Sequence, residues 1–206
     1  MTTPSQPALH DAYAADYDAQ VIAHDCYLAE ALFGLCYEFV RPGESLLDVG
    51  IGSGLSAAPF ARAGLRVSGM DFAPAMLDLC RAKGITDDLR QHDLTRTPWP
   101  YAPASFDHVI ACGVFHFLPD LAAIFGATAE VLRSGGLFAF TTKWPTAPLA
   151  PDAPFERQEV GGLAVFSHAP QTVATLMAGA GFDRVRQMRC FVGQELFVVW
   201  VTRKRV

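Results

Sequence analysis

The chain has 206 residues, of which 51% are hydrophobic and 18% charged, and its net charge is −5. That length suits one hydrophobic core, and that composition excludes a disordered chain. Lys and Arg form no run except RKR at the C-terminal end, which argues against a protein that tracks a nucleic-acid backbone through clustered cations.

The five cysteines, Cys26, Cys36, Cys80, Cys112 and Cys190, are scattered with no C-x-x-C pair. Neither a disulfide framework nor a metal site is expected from them, and a reducing cytoplasm is the expected location. The opening MTTPSQPALHD lacks the basic flank and apolar core of a signal peptide. No apolar run reaches the roughly 20 residues needed to span a bilayer, so no membrane partner is expected.

In chain order, HDAYAADYD (10 to 18) is expected as a short helix. HDCYLAEALFGLCYEFV (24 to 40) has apolar residues at three- and four-residue spacing and is stopped by Pro42 and Gly43, which predicts an amphipathic helix. Residues 10 to 40 would thus form an N-terminal helical cap. SLLDV is a short apolar run between Gly43 and Gly50, as a buried strand requires, and a helix over about 55 to 63 closes at Gly64.

The alternation continues. LRVSGM (65 to 70) reads as a strand, PAMLDLCRAK as a helix with Pro74 at its start and Gly84 past its end, and DDLRQHD as a strand. FDHVIACG (106 to 113) is a strand, DLAAIFGATAEVLR (120 to 133) a helix and GLFAFTTKW (136 to 144) a strand. Alternating strands and helices predict a parallel sheet with helices on both faces, a doubly wound α/β fold in one domain spanning 1 to 206.

The tail breaks this rhythm. After a helix in QTVATLMAGAGF come DRVRQMRCFV and QELFVVWVTRKR, joined at Gly193 by a link too short for a parallel crossover. The sheet should therefore end in an antiparallel hairpin. Residues 145 to 168 form a Pro-rich excursion with a small hairpin expected at Gly161 and Gly162. An excursion of that length is usually functional, and covering a substrate site is the expected role.

The stretch LLDVGIGSG places Gly50, Gly52 and Gly54 on the first strand-to-helix turn, where doubly wound sheets bind nucleotide-like ligands. A dinucleotide fingerprint would be G-x-G-x-x-G, but Leu55 stands where its third glycine would fall. Asp48, just ahead of the loop, would oppose a pyrophosphate and favour an ammonium or sulfonium group. Asp71 and Asp93 close the next two strands. An acid at the first of these positions commonly accepts ribose hydroxyls, and one at the second could take an adenine amino N–H.

HDAYAADYD, LLDVGIGSG, GMDFAPAMLDLCRAKG, RQHDL, FDHVIACGVFHFLPD and VLRSGGLFAFTT occur in an order that resembles the class I S-adenosylmethionine-dependent methyltransferases, especially the small-molecule, ubiquinone-biosynthesis-like type. The resemblance covers residues 10 to 143. It implies a Rossmann-like seven-stranded sheet of order 3-2-1-4-5-7-6 with the seventh strand antiparallel. It also implies S-adenosyl-L-methionine as cofactor and S-adenosyl-L-homocysteine as product. Carried onto this chain, it would set Gly50, Gly52 and Gly54 under the methionine part and ribose, and Asp71 on the ribose hydroxyls. Phe72 and Met76 would flank the adenine, and Asp93 would bind its amino group with the Leu94 backbone beside it. The Ala111 carbonyl would receive the methionine ammonium, and Tyr17 of the A-x-x-Y-D pattern formed by Ala14, Tyr17 and Asp18 would cap the cofactor. Ile51 stands where many members have a smaller residue.

Methyl transfer from a sulfonium is an in-line displacement governed by positioning and exclusion of water, with a base needed only when the nucleophile must lose a proton. The candidate bases are His116, in GVFHFLPD past the fourth strand, and His168, in VFSHAP at the end of the excursion. Tyr13, Trp144, Phe155 and Phe166 are candidates to line an apolar pocket. ACGVF replaces the Asn/Asp-Pro-Pro-aromatic pattern of enzymes that methylate bases, which points to a small-molecule acceptor. A monomer or homodimer is expected. A cofactor-binding sensor without turnover and an NAD-dependent oxidoreductase are the alternatives.

Overall fold

The computed structural model describes residues 17–86 and 88–206. Most of the helix expected over 10 to 18 lies outside the described residues, as do His10, Tyr13 and Ala14. The described part of that segment belongs to α1 (Tyr17–Ala23).

α2 spans Leu28–Cys36 and continues as a 3-10 turn over Tyr37–Phe39. It begins later than expected because Asp25 takes a positive φ of 50°, a conformation that the short polar Asp side chain tolerates but that no helix propagates through. α3 (Ala58–Arg62), α4 (Pro74–Ala82), α5 (Ala122–Val131) and α6 (Pro170–Gly179) follow the predicted order. α3 is shorter than expected because Gly54 to Ala57 are spent on the turn out of the glycine loop.

One sheet holds β1 (Ser45–Val49), β2 (Arg66–Asp71), β3 (Asp88–Gln91), β4 (Phe106–Ala111) and β5 (Leu132–Lys143). These lie side by side as β3, β2, β1, β4, β5, all pairing parallel. β9 (Glu195–Lys204) then runs antiparallel on β5, and β8 (Phe182–Val192) antiparallel on β9.

The sheet has nine strands, so the expected count of seven and the order written for it are corrected to 3-2-1-4-5-9-8. The two additional strands come from the excursion. β6 (Phe155–Val160) and β7 (Leu163–His168) form a hairpin whose turn residues Gly161 and Gly162 have φ of 59° and 82°, as a two-residue hairpin turn demands. The hairpin joins the sheet where Ser167 pairs with Lys143.

Strand alternation divides the core between the two faces. Leu47, Val49, Val109, Phe138, Phe140 and Trp200 pack with Phe125 of α5 and Val173 of α6. Leu46, Ile110, Leu137, Ala139, Val199 and Val201 pack with Leu32 of α2, Phe60 of α3 and Leu77 of α4. Both faces are therefore covered, and the ligand surface is left to the carboxyl ends of the strands.

Candidate active site

A cavity of about 700 Å³ opens at those strand ends. The loop after β1 forms one wall. Its three glycines all have positive φ, 76°, 53° and 86° in order, yet each is glycine for a separate reason. A Cβ on Gly50 would lie 2.7 Å from Val114 Cγ2, and one on Gly54 would lie 2.5 Å from Ile85 Cδ1. A Cβ on Gly52 would meet nothing within 4 Å. Gly50 and Gly52 line the cavity and Gly54 does not, so Gly54 serves packing, while the space beside Gly52 is open.

Asp71, at the end of β2, locks the loop. Its Oδ2 accepts the Gly52 N–H at 2.9 Å, and its Oδ1 accepts the Ala73 N–H at 2.9 Å. The carboxylate is buried and lines the cavity. Phe72 and Met76 line it beside Asp71, and Tyr17 packs on the small cluster of Ala73 and Met76. Burial raises the Tyr17 phenol above its ordinary range.

Past β3, Asp93 and Leu94 also face the cavity. Asp93 Oδ1 accepts both the Thr95 N–H, at 3.0 Å, and the Thr95 hydroxyl, at 2.7 Å. Partial burial alone would raise this carboxyl, but the Thr95 hydrogen bonds and nearby Arg96 outweigh it and hold it below its usual value.

Besides Gly54, two more expected cofactor residues stand away from the cavity surface. Asp48 does not line the cavity: it is fully buried beneath the loop, where its Oδ2 accepts the Ser56 hydroxyl at 2.9 Å. Burial pushes its carboxyl up to about 7, with Asp71 adding to the rise and Ser56 opposing it. Ala111 is likewise fully buried, and the cavity surface after β4 comes from Cys112 and Gly113. Inward-pointing residues of a strand covered on both faces end up in the core, and the ligand meets the residues just past the strand end.

Asp18 carries a role that its place in A-x-x-Y-D did not reveal. Its Oδ1 accepts the Ser53 hydroxyl at 2.6 Å, and its other oxygen pairs with Lys83 after α4. This clasp fastens α1 over the glycine loop.

α1, the loop after β4 and two hairpin turns also line the cavity. His116 lines it, its ring 4.0 Å from that of Phe117 and 5.5 Å from that of Phe197, centroid to centroid. Val160, Gly161 and Leu163 bring the β6–β7 turn to the cavity, and Val192, Glu195 and Phe197 bring the β8–β9 turn. The excursion therefore reaches the cavity through its turn.

His168 is not among the cavity residues. It is 3% exposed, and burial lowers its pKa, partly offset by the nearby Leu118 and Pro119 backbone, though neither ring nitrogen attains hydrogen-bond geometry. Phe155 and Phe166 pack edge-on against each other at 5.1 Å, away from the cavity. Trp144 instead lines a second hollow of about 380 Å³ with Pro145 to Leu149. Tyr13 lies outside the described residues. Among the described residues no His/Cys/Asp/Glu group could hold a metal ion, and no helix is long and apolar enough to cross a membrane.

Residues 47–140 match the family model described as a methyltransferase domain. Over those residues the chain is similar to a methyltransferase domain. The chain is 33% identical over 129 residues to the malonyl-[acyl-carrier protein] O-methyltransferase of Serratia marcescens, covering 63% of this chain and 49% of that protein. It is 35% identical over 124 residues to the ubiquinone biosynthesis O-methyltransferase of Paramagnetospirillum magneticum, covering 57% and 48%. The chain thus spans about half the length of these curated relatives. The methyltransferase fold extends beyond the matched segment. The crystal structure of the Burkholderia thailandensis 1,6-didemethyltoxoflavin-N1-methyltransferase, with bound 1,6-didemethyltoxoflavin and S-adenosylhomocysteine, superposes with a TM-score of 0.72 at 19% identity, covering 100% of this chain and 93% of that one.

Proposed function

We propose that the chain transfers a methyl group from S-adenosylmethionine to a small-molecule acceptor. The observation that carries this is a single cavity lined by Gly52, Asp71 and His116 together. Bound cofactor would supply an electrophilic methyl group, and the residues present fit its polar parts. Asp71 would take the ribose hydroxyls, Asp93 the adenine amino group, and Phe72, Met76 and Leu94 the faces and edge of the base. Gly50 and Gly52 would let the methionine part and ribose approach the backbone, with Gly54 packing the loop beneath. The polar backbone just past Ala111, at Cys112 and Gly113, would meet the ammonium, and Tyr17 would close the site from α1.

The protein's contribution is then positioning and exclusion of water, with α1 and the two hairpin turns walling off the methyl group. His116 is the candidate to receive a proton from an acceptor O–H or N–H, because it lines the cavity and His168 does not. A cytoplasmic protein, monomer or homodimer, without nucleic-acid substrate is part of the same proposal; the five free thiols and the dispersed basic residues support it.

The test is calorimetry with S-adenosylmethionine and S-adenosylhomocysteine, followed by a labelled-methyl assay against a metabolite library. Binding with label transfer is expected. Binding without transfer from any substrate pool would favour a sensor, and NADH binding in place of S-adenosylmethionine would overturn the assignment.

A further inference from the structure

Among the described residues, the cavity is lined by three carboxylates, Asp71, Asp93 and Glu195. Asp71 is the last residue of β2, and Asp93 follows β3. Glu195 stands at the start of β9, with Val192 and Phe197 of the same hairpin also lining the cavity. Its Oε1 accepts a hydrogen bond from Lys143 Nζ at 2.6 Å. The two partners differ sharply in exposure: the Lys143 side chain is 2% exposed and that of Glu195 47%.

The sheet register explains the pairing. Lys143, the last residue of β5, lies directly opposite Phe197 on β9. Directly opposed residues share a face, and Glu195 shares that face with Phe197 by strand alternation. Lys143, Glu195 and Phe197 therefore stand together, and Phe197 is the residue whose ring meets His116.

A buried ammonium is tolerated only when paired and hydrogen-bonded. Lys143 consequently holds Glu195 at the cavity edge, where a lone surface glutamate would be free to swing into water. The nearby wall is apolar, with Val160, Leu163, Val192 and Phe197 around it. The pair turns its carboxylate to the cavity and keeps its ammonium buried, so a hydrogen-bond donor is favoured there and a second carboxylate is disfavoured.

Resting on the methyltransferase assignment above, we propose that Glu195, positioned by Lys143, determines acceptor specificity. It accepts a hydrogen bond from the O–H or N–H of a neutral or cationic acceptor and turns away acceptors that present a carboxylate. Glu195 is the group that touches the acceptor, and Lys143 is a positioning residue.

The experiment is a labelled-methyl assay with a panel of phenols and arylamines, each matched to the arylcarboxylate of the same skeleton. It uses the wild type, Lys143→Met, Glu195→Asp and the double variant Lys143→Met with Glu195→Gln. The double variant is chosen because Glu195→Gln alone leaves a buried ammonium facing an amide and can cost the fold. The wild type should label phenols or arylamines and leave the carboxylates unlabelled. The double variant should raise KM for the donor-bearing acceptors about tenfold, the loss of one hydrogen bond to a charged group, with a smaller change in kcat. Lys143→Met should raise KM in the same direction, and Glu195→Asp should retain more of the discrimination than the double variant. Affinity for S-adenosylhomocysteine, measured by calorimetry, should be the same in all four proteins.

Labelling of carboxylates by the wild type, or an unchanged KM in the double variant, would overturn the inference. So would a wild type that binds S-adenosylhomocysteine and labels neither class. A wild type that fails to bind S-adenosylhomocysteine while labelling an acceptor strikes at the cofactor assignment and leaves the selectivity of Glu195 to be read from the panel.

Discussion

Asp71 Oδ2 accepts the Gly52 N–H at 2.9 Å, tying the end of β2 to the middle of the glycine loop. One carboxylate thereby shapes the loop and faces the cavity. Asp71→Asn keeps the side chain's size while removing its charge and one acceptor oxygen. The expected result is a weaker cofactor affinity by about 1.5–3 kcal/mol, the range for hydrogen bonds to a charged group. Calorimetry with S-adenosylhomocysteine checks this, and an unchanged affinity would mean that the ribose lies elsewhere.

Gly52 and Gly54 separate ligand binding from folding. Alanine at Gly54 would thrust its Cβ into Ile85 and Cys80, so Gly54→Ala should destabilise the fold by roughly 2–4 kcal/mol from overpacking and left-handed strain together. Gly52→Ala meets open space and should cost only the strain, about 1–2 kcal/mol. Thermal melts should rank Gly54→Ala well below Gly52→Ala. Cofactor calorimetry on the folded Gly52→Ala protein should show the greater loss of affinity per degree of melting temperature lost.

The Asp18 clasp should govern how firmly α1 closes. Asp18 bonds Ser53 in the glycine loop and Lys83 after α4, and both ionic partners are about one-third exposed. Asp18→Ala should therefore cost little overall stability, about 1 kcal/mol or less. Its effect should be local: faster hydrogen exchange in Tyr17–Ala23 and faster cofactor release. Exchange that stays at wild-type rates would show that α1 is held by its apolar contacts instead.

The chain order of strands and helices was legible because each buried strand is a continuous apolar run and each helix is punctuated by Pro or Gly. The place of Gly50, Gly52, Asp71 and Asp93 at the cavity was legible because the turn after a parallel strand lies at the open end of the sheet. What escaped was set by partners distant in sequence. Asp48 and Asp71 share one face of the sheet, in register through Gly69, yet Asp48 is followed by Val49 within β1 and is sealed beneath the loop, whereas Asp71 is the last residue of β2 and reaches the cavity. His116 and His168 both follow strand-like segments, but only the packing of β7 against the Phe115–Phe117 turn decides that His168 is sealed away. Lys143 and Glu195 are 52 residues apart, and no local pattern announces a register that sets them together.

Asp48 supplies the pH prediction. Burial raises its carboxyl from 3.8 to about 7, so between those values the native state binds a proton that the unfolded chain has released. Stability should accordingly fall as pH rises from about 4 to about 7 and level off above that, by on the order of 4 kcal/mol at most. Asp48→Asn keeps an oxygen for the Ser56 hydroxyl and removes the titration, so denaturant melts of this variant should lack that slope and show a gain over wild type at about pH 8. The same carboxyl lies beneath the loop where a sulfonium would sit. A nearby cation favours its ionised form, so binding of S-adenosylmethionine near pH 7 should release protons, and binding of S-adenosylhomocysteine, which lacks the sulfonium charge, should release fewer. Calorimetry in buffers of different ionisation enthalpy measures that difference directly, and equal release with the two ligands, or release that survives Asp48→Asn, would place the coupled group elsewhere.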